Sequence, residues 1–357
     1  MTTTVDDAVV LITGGTGSLG QTLTRRLLQG GLGRPKRIIV FSRDEAKQYA
    51  MKTTWKRATS PTDDIVYHNF DELIEFRIGD VRDYASVLDA VSRSDVVFHA
   101  AAMKQVPTCE YFPMQAAATN IQGADNVVRA VRHSQRPHTV VGVSTDKACK
   151  PVNVMGMTKA IQERVIIEGN LDNAHCRLIG VRYGNVLESR GSVIPLFKHQ
   201  IAAGGPVTIT HREMTRFLLS LESAVDTIFD AYREARRGEI YVPKVPAARI
   251  VDVAEAMIGE RDVDLTVTGI RPGEKLHEIL LSDEEAPRAV ERGEYYALQP
   301  MLPDFDIDPA PRPLTREFSS ADAVIGGAEL EALIAIGTFV DVAVQGAVSP
   351  RAGQPTP

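Results

Sequence analysis

The stretch that decides the fold is "VVLITGGTGSLGQTLTRRLL", residues 9–28, in which a glycine-rich turn joins a strand-like run to a helix-like one. Gly14, Gly17 and Gly20 follow the apolar run at the spacing G-x-x-G-x-x-G. Glycines so placed permit a tight turn, and their missing side chains let a pyrophosphate reach the helix N-terminus, whose free N–H groups attract anions. A glycine turn without a ligand is the alternative, but the position directly after the first strand favours a dinucleotide-binding turn.

The first half of the chain alternates strand-like and helix-like segments. Short apolar runs rich in Val and Ile are typical of buried parallel strands, and helical patterns lie between them. The expected strands are residues 9–14, 37–42, 73–80, 95–100, 138–144 and 177–183, and the expected helices include residues 19–29, 114–133 and 155–169. This alternation predicts an α/β fold with a doubly wound parallel sheet of the Rossmann type.

The pattern loosens after about residue 184, which predicts a second, smaller unit. We expect a dinucleotide-binding domain over residues 1–183 and a substrate-binding domain over residues 184–340, partly interwoven with the first. Residues 57–72 look like a long polar connection. Residues 341–357 are rich in Ala, Gly and Pro and are expected to be disordered.

The composition excludes several classes of protein. A chain of 357 residues with 44% hydrophobic and 24% charged residues is ordinary for a globular protein, and a net charge of −6 with mixed signs gives no surface for nucleic acid. No apolar run approaches the roughly 20 residues that span a bilayer, and the N-terminus lacks a signal-peptide pattern. The three widely separated cysteines predict neither a metal site nor a disulfide framework. We therefore expect a cytoplasmic protein without a metal.

The end of the second expected strand, "FSRDEAKQ" (41–48), bears on the choice between NAD and NADP. An acidic residue at this strand end would bind the adenosine ribose and favour NAD. Ser42 and Arg43 come first here, with Lys47 one helical turn later, and a hydroxyl and two cations suit a 2′-phosphate. Asp44 and Glu45 leave NAD open, so NADP is the favoured cofactor and NAD the alternative.

Nine motifs in order give the chain a recognisable pattern. They are "TGGTGSLG" (13–20), "GDVRD" (79–83), "HAAAMKQVP" (99–107), "STDKA" (144–148), M-G-x-T-K (155–159), "RYGNV" (182–186), "GSVIPLF" (191–197), "MTRF" (214–217) and "GIRPGEKLHE" (269–278). Together they resemble the extended short-chain dehydrogenase/reductase superfamily. More narrowly, they resemble the UDP-N-acetylglucosamine 4,6-dehydratases of polysaccharide biosynthesis, over about residues 8 to 285.

The resemblance implies roles for the matching positions. The cofactor would contact Gly14, Thr16, Gly17, Ser18, Leu19, Gly20, Ser42, Arg43, Lys47, Asp80, Val81, Ala100, Ala101, Ala102, Asn120, Lys159 and Tyr183. The substrate, UDP-N-acetylglucosamine, would contact Lys104, Asn185, Val186, Ser189, Arg190, Arg216, Arg271 and Glu274, the last on the uridine ribose. Arg216 and Arg271 would hold the diphosphate, because a guanidinium donates two hydrogen bonds to one anion.

A 4,6-dehydratase needs an acid and a base besides its hydride carrier. Hydride leaves C4 of the sugar and returns to C6, so the cofactor is recycled and stays bound; in between, C5 loses a proton and the C6 hydroxyl leaves as water. By resemblance, Asp146 protonates the C6 oxygen, Lys147 takes the C5 proton and Thr145 bonds the 4-hydroxyl. For these roles we expect burial to raise the pKa of Asp146 and to lower that of Lys147. The alternative is an Asp–Lys pair that lies on the surface and has no catalytic role.

Met155 stands where many relatives carry the Tyr of a Tyr-x-x-x-Lys pair. A thioether has no proton to exchange, so the 4-hydroxyl proton must go elsewhere. Asp146 could accept it as a carboxylate and later give it to the C6 oxygen, with Tyr183 as the weaker substitute. Lys159, one turn after Met155, would bind the nicotinamide ribose. Members of the dehydratase group with Met at this place are enzymes, so the resemblance implies activity.

Three further matters stay open or rest on resemblance. The rival functions are a nucleotide-sugar 4-epimerase and a cofactor-binding protein without catalysis. The C5 proton returns with retention or with inversion, and we expect retention. A homodimer or higher homo-oligomer is expected, because helices around 113–133 and 155–168 carry more apolar residues than one sheet face needs, namely Val127, Val128, Val131, Val165, Ile166 and Ile167.

Overall fold

The computed structural model describes residues 3–57, 70–187, 192–305, 307 and 314–335. Its largest element is a nine-stranded sheet. Six of its strands come from the first half of the chain: β1 (Val9–Thr13), β2 (Arg37–Ser42), β3 (Ile74–Ile78), β4 (Val96–His99), β5 (Thr139–Val143) and β6 (Arg177–Val181). These six pair in parallel in the order β3–β2–β1–β4–β5–β6. The predicted doubly wound sheet is therefore confirmed.

Burial on both faces explains why the strands are continuous apolar runs. Side chains of a strand alternate between the two faces, and here both faces are covered. Val10 and Ile12 of β1 belong to the core on one face, whereas Leu11 between them belongs to the core on the other. All three are at most 1% exposed.

Helices cover both faces of the sheet. The α-helices of the described residues are α1 (Ser18–Leu28), α2 (Glu45–Arg57), α3 (Phe70–Leu73), α4 (Tyr84–Val91), α5 (Val106–Tyr111), α6 (Pro113–Ala117), α7 (Gly123–Ser134), α8 (Val154–Asp172), α9 (Val193–Ala202), α10 (Leu221–Glu234), α11 (Ile250–Ile258) and α12 (327–335). Helices α1 and α10 pack on one face, and α4, α7 and α8 on the other.

The helix expected over residues 114–133 is divided in the structure. A π-helical turn, Ala118–Gln122, separates α6 from α7. Within that turn Asn120 is fully buried and bonds the backbone of Met103, which lies outside the helix. A wider turn of this kind is common where a side chain has a role outside the regular helix pattern.

Segments beyond residue 184 enter both parts of the molecule. Three of them extend the large sheet next to β6: β10 (Ile240–Pro243), β15 (Tyr295–Leu298) and β14 (Ala289–Arg292). The others build three small sheets: β7 (Asn185–Val186), β9 (Thr215–Leu219) and β11 (Ala247–Arg249); β8 (Val207–Ile209) and β12 (Leu265–Val267); β13 (Ile279–Leu281) and β16 (Phe318–Ser319). Residues of the first two sheets share a separate core, whereas β13 and β16 pack with β10, β14 and β15. Segments of the C-terminal region therefore both extend the large sheet and form smaller sheets.

The structure corrects the reason for expecting an oligomer. Val127, Val128, Val131, Ile166 and Ile167 are at most 7% exposed in the single chain, because α7 and α8 pack on the sheet and on their neighbours. Val165 is partly buried against the same core. The exposed apolar side chains of this region are different ones: Tyr111, Phe112, Met114, Met157 and Ile161.

Some expectations fall outside the described residues. These are the middle of the 57–72 connection, the substrate residues Ser189 and Arg190, and the tail 341–357. Across the described part of the chain, no helix has the length and apolar character needed to cross a membrane.

Candidate active site

A cleft of about 650 Å³ opens at the carboxyl ends of β1, β4, β5 and β6. Parallel α/β sheets bind ligands at this edge. Most residues expected from the sequence line it: Gly14, Thr16, Gly17, Ser18, Leu19, Gly20, Ser42, Arg43, Lys47, Val81, Ala100, Ala101, Ala102, Lys104, Thr145, Lys147, Met155, Lys159, Tyr183, Asn185, Val186, Arg271 and Glu274. Four described residues from the expected set do not line it: Asp80, Asn120, Asp146 and Arg216.

The glycine turn after β1 leaves no room for side chains. Gly14 has a positive φ of 68°, and a Cβ there would lie 2.8 Å from Cα of Ala101. A Cβ on Gly20 would lie 2.5 Å from Cα of Gly15. Helix α1 begins directly after this turn at Ser18 and has no acidic residue in its first turn. The turn and the free helix N-terminus therefore fit the pyrophosphate of a dinucleotide.

The cations at the end of β2 reach the cleft, and each has a carboxylate nearby. Nζ of Lys47 lies 2.6 Å from Oδ2 of Asp44, and Nη1 of Arg43 lies 3.8 Å from Oδ2 of Asp80. Asp80 itself is held by Arg82, whose Nη2 donates to it at 2.6 Å. Both Arg43 and Lys47 remain about half exposed, so they can turn toward a phosphate.

Asn120 supports the loop after β4 from behind. Its Oδ1 accepts from N of Met103 at 2.8 Å, and its Nδ2 donates to O of Met103 and to Oγ1 of Thr158 at 3.0 Å each. The side chain is fully buried. Asn120 therefore fixes the path of the loop that carries Ala100 to Ala102, one step away from the cleft.

A 3₁₀ turn, Asp146–Ala148, follows β5, and Thr145 caps it. Asp146 lies beneath the cleft with no exposed side chain surface, and its backbone N donates to O of Tyr183. Its Oδ1 accepts from Oγ1 of Thr145 at 2.8 Å and from Nζ of Lys147 at 3.1 Å. Its Oδ2 is buried without a partner within the described residues. The predicted acid and base are thus in direct contact, with one carboxylate oxygen still unbonded.

Three oxygen atoms surround the ammonium of Lys147. They are Oδ1 of Asp146 at 3.1 Å, Oδ1 of Asn185 at 3.2 Å and Oε1 of Glu278 at 3.6 Å. Burial alone would lower the pKa of Lys147, but the charges of Asp146 and Glu278 outweigh it and raise that pKa. The expected lowering by burial is therefore wrong for this state of the site. An ammonium has three donors and no acceptor, which matches these surroundings.

Helix α8 packs directly on the turn that carries Lys147. A Cβ on Gly156 would lie 2.2 Å from O of Lys147, so only glycine permits this approach. The side chain of Met155 lines the cleft and packs with Met103 and Val106, where it supplies apolar surface and no proton. Asn153 caps the helix and also donates to O of Gly273 at 2.8 Å, which ties α8 to the loop of Arg271 and Glu274.

Lys159 is buried without a carboxylate hydrogen-bond partner among the described residues. It is 6% exposed, and its Nζ donates to O of Val143 and, at 2.7 Å, to Oε1 of Gln162. Burial lowers the pKa of Lys159 to about 7, although Glu163 opposes the shift. Burial also raises the pKa of Tyr183, so this hydroxyl retains its proton and is a poor acceptor for the 4-hydroxyl proton.

Arg216 contacts the interior rather than the cleft. It is 7% exposed; its Nη1 donates to O of Thr215 and O of Leu276, and its Nε lies 3.9 Å from Oε1 of Glu278. Arg271 is exposed at the cleft, and its backbone N contacts Glu274. Of the two arginines expected on the diphosphate, the structure therefore brings only Arg271 to the cleft.

Sequence reasoning missed several residues around the site. Gly79, Met103, Gln105, Val106, Pro107, Val143, Ser144, Ser192 and Leu221 also line the cleft. Most adjoin a predicted residue, so a wider window around each motif would have found them. Glu278 is the chemically important omission, since it faces Lys147. It ends the "GIRPGEKLHE" motif, and an acidic residue at a motif's end was the available signal.

Known proteins are similar in sequence to this chain over most of its length. A family model described as "Polysaccharide biosynthesis protein" matches residues 10–300. A protein of Rickettsia bellii named UDP-glucose 4-epimerase is 43% identical over 297 residues, which cover 82% of this chain and 83% of that protein. A protein of Campylobacter jejuni named UDP-N-acetylglucosamine 4,6-dehydratase (inverting) is 40% identical over 302 residues, which cover 84% and 85%.

Solved structures share the fold. Pen from Bacillus thuringiensis superposes with a TM-score of 0.82 at 32% identity, covering 93% of this chain and 98% of Pen. DesIV of Streptomyces venezuelae, described as a dTDP-glucose 4,6-dehydratase with NAD and TYD bound, has a TM-score of 0.64 at 20% identity, covering 75% and 86%. The second likeness supports the fold alone. The extent of the family match and the identities show that this chain belongs to the polysaccharide biosynthesis protein family, among nucleotide-sugar dehydratases and epimerases.

Proposed function

We propose that this protein is a UDP-N-acetylglucosamine 4,6-dehydratase. The observation that carries the proposal is the contact of Asp146 with Lys147 at the end of β5, beside the glycine turn and Met155. Elimination of water across C5 and C6 needs an acid and a base in one site, and these two side chains are the candidates. The dehydratase named for Campylobacter jejuni, at 40% identity, supports the same reading.

The residues of the chain divide the proton transfers between them. Asp146 accepts the 4-hydroxyl proton and later delivers it to the C6 oxygen, which leaves as water. Thr145 holds the 4-hydroxyl, and Lys147 removes the C5 proton and gives it back. Over one complete cycle the sugar loses one water molecule and no other atoms. Asp146 and Lys147 therefore return to the protonation states in which they began.

A nicotinamide dinucleotide is the cofactor that the glycine turn fits, and when bound it supplies reversible hydride acceptance. Lys159 lines the cleft with Met155, and we expect it to bond a ribose hydroxyl of the cofactor. Arg43, Lys47 and Ser42 at the adenosine end favour NADP, although Asp44 partly neutralises Lys47. The structure of DesIV holds NAD, so NAD stays the alternative for this chain.

A 4-epimerase is the second candidate, because the Rickettsia bellii relative at 43% identity carries that name. An epimerase removes and returns hydride at C4 alone, so it needs no acid at C6 and no base at C5. The Asp146–Lys147 pair therefore favours dehydration, and so does Met155, because an epimerase usually keeps a Tyr at this position.

NMR of UDP-N-acetylglucosamine incubated with the full chain and added cofactor separates these candidates. A new C6 methyl signal is the expected result and identifies dehydration. A new hexose signal without a methyl would select epimerisation, and an unchanged spectrum would leave binding without catalysis. The ring couplings of the product also decide C5: we expect retention, whereas the Campylobacter jejuni relative is named inverting.

A further inference from the structure

Glu278 belongs to the C-terminal region yet lies against the proposed base. It follows Lys275 and His277 in the segment before β13, and its side chain is 4% exposed. Its Oε1 lies 3.6 Å from Nζ of Lys147, and its Oε2 is buried without a hydrogen-bond partner in the described part of the chain. A buried carboxylate with one unbonded oxygen is costly to keep, so its position calls for a reason beyond packing.

The backbone of Glu278 is fixed by a second C-terminal segment. Its N donates to Oγ of Ser320 at 2.9 Å, and N of Ser320 donates to O of Glu278 at 2.8 Å. Oγ of Ser320 also lies 2.6 Å from Oγ1 of Thr215 on β9. The backbone of Glu278 therefore cannot move away from Lys147 unless these buried hydrogen bonds break.

The charges around the pair come from three elements. Lys147 faces Asp146 on its own turn and Glu278 from the segment before β13, with Arg216 of β9 acting against its charge. Glu278 also has Arg216 and Lys275 at 3.9 Å each. Lys147 is thus the cation closest to Glu278 within the described residues, and two carboxylates hold it.

We propose that Glu278 is a positioning residue for Lys147: it holds the side chain at the cleft and sets the pH at which Lys147 becomes available as a base. The proposal rests on the dehydratase function proposed above. Glu278 does not line the cleft but contacts Lys147, which does, and it acts through that residue. Through Glu278, the C-terminal region takes part in the chemistry of Lys147, which lies on the turn after β5.

Glu278→Gln keeps the shape and removes the charge. Without that carboxylate the ammonium of Lys147 is less favoured, so the acidic limb of the pH profile of kcat should move to lower pH by about one unit or more. At the optimum kcat should fall about tenfold as the side chain loses its position, while KM stays within about twofold. Glu278→Asp, which keeps the charge, should restore the limb toward that of the unaltered protein.

Glu284→Gln is the matched control, because Glu284 is an exposed carboxylate just after β13 that bonds only Ser282 among the described side chains. It should keep the original profile. A Glu278→Gln protein with an unmoved acidic limb overturns the proposal, and so does an equal loss in Glu278→Gln and Glu278→Asp with unmoved limbs, which would mark a merely structural residue.

A second measurement needs no turnover. The rate at which an acylating reagent modifies Lys147, followed by mass spectrometry against pH in the full chain, reports when its amine is uncharged. The curve of modification rate against pH should move to lower pH in Glu278→Gln and should not move in Glu284→Gln. If UDP-N-acetylglucosamine gives no product with the unaltered protein, the proposed function falls, and this curve still decides whether Glu278 controls Lys147: an unmoved curve overturns the inference.

Discussion

Nζ of Lys147 donates to Oδ1 of Asp146 at 3.1 Å, so the proposed base and acid share a hydrogen bond before any substrate arrives. Their protonation states are therefore coupled: a proton added to Asp146 removes one of the two charges that keep Lys147 an ammonium. Accepting the 4-hydroxyl proton at Asp146 thus prepares both groups for the elimination, Asp146 as an acid and Lys147 as a readier base.

Lys147→Ala should abolish dehydration while cofactor remains bound. Oxidation at C4 does not use the C5 base, so absorbance of reduced nicotinamide should still appear after substrate is added. Exchange of the C5 proton with deuterated solvent, followed by NMR, should stop. Lys150→Ala is the control, because Lys150 pairs with Asp283 and Glu317 away from the cleft. Near-normal turnover in Lys147→Ala would show that another group is the base.

Lys159→Met should stabilise the cofactor-free protein near neutral pH. The pKa of Lys159 is lowered from 10.5 to about 7, so between these values the unfolded chain holds a proton that the folded chain does not. The resulting penalty is absent above pH 10.5, grows as pH falls and is complete below about pH 7. The shift of the pKa sets the upper limit of this penalty at about 5 kcal/mol, from which about 1 kcal/mol is subtracted for lost hydrogen bonds.

Urea unfolding at pH 7 and at pH 10 measures this difference. The excess stability of Lys159→Met over the unaltered protein should be larger at pH 7. O of Val143 keeps a donor in the variant, since Nε2 of Gln162 also bonds it. Lys36→Met, at an exposed lysine, should show no such pH dependence. A difference that is equal at both pH values would place the pKa of Lys159 near its ordinary value.

Arg43→Ala should weaken NADP binding by about tenfold and leave NAD binding nearly unchanged, because only NADP has the 2′-phosphate that a guanidinium would hold. Titration of the cofactor-free protein with each dinucleotide measures both affinities. Arg93→Ala, at an exposed arginine paired with Asp89, serves as the control. An equal loss for both dinucleotides would mean that Arg43 contacts something other than the 2′-phosphate.

The expected dimer should depend on the exposed apolar residues near α8, not on the valines that first suggested it. Tyr111 is 82% exposed, Met114 76%, Met157 48% and Ile161 47%, and helices α5 and α6 pack against α8. Ile161→Asp should therefore convert the dimer to monomer at micromolar concentration in sedimentation velocity. Val267→Asp, at an exposed valine of β12, should not. A monomeric unaltered protein would contradict the expectation of an oligomer.

Local patterns predicted the strands and the glycine turn because their physical causes are local. A strand buried on both faces must be apolar throughout, and a pyrophosphate turn must contain glycine where Cβ would collide. The apolar residues of α7 were wrongly interpreted as part of a subunit interface. Hydrophobic periodicity cannot distinguish a helix that packs on a sheet and two other helices from a helix that packs on a sheet and a second subunit. Val127 and Val131 show the first case, with α4 and α8 as the covering neighbours.

Contacts between distant segments were beyond such patterns. The raised pKa of Lys147 depends on Glu278, and Glu278 is placed by Ser320, which lies after the last recognised motif. Similarly, the motif that contains Arg216 indicated a phosphate ligand, whereas the fold turns that side chain toward Glu278 and the carbonyls of Thr215 and Leu276. Residue type predicted charge at these positions, but only the fold determines which charges meet.

Asp146→Asn and Met155→Tyr together test whether one carboxyl group handles both protons. Asp146→Asn alone should fail at oxidation and at elimination, since an amide neither accepts nor donates a proton usefully at neutral pH. Its loss should exceed the 10²–10⁴-fold effect of a single general acid. A Tyr at position 155 would face the cleft, where the side chain of Met155 now lies, and would offer the 4-hydroxyl proton a new acceptor. Lys159 nearby would help that Tyr ionise when charged.

Hydride removal from C4 should then partly return in the double variant, seen as absorbance of reduced nicotinamide after substrate is added. The C6 methyl product should stay rare in its NMR spectrum, because the C6 oxygen still lacks an acid. Met155→Phe in the Asp146→Asn background is the control, since it fills the same space without a hydroxyl and should restore nothing. If the Tyr variant binds substrate, measured by titration, yet gives no reduced cofactor, Asp146 does not take the first proton. Burial raises the pKa of Tyr183 and leaves it a poor acceptor, so a water bonded to Thr145 would then be the group to test.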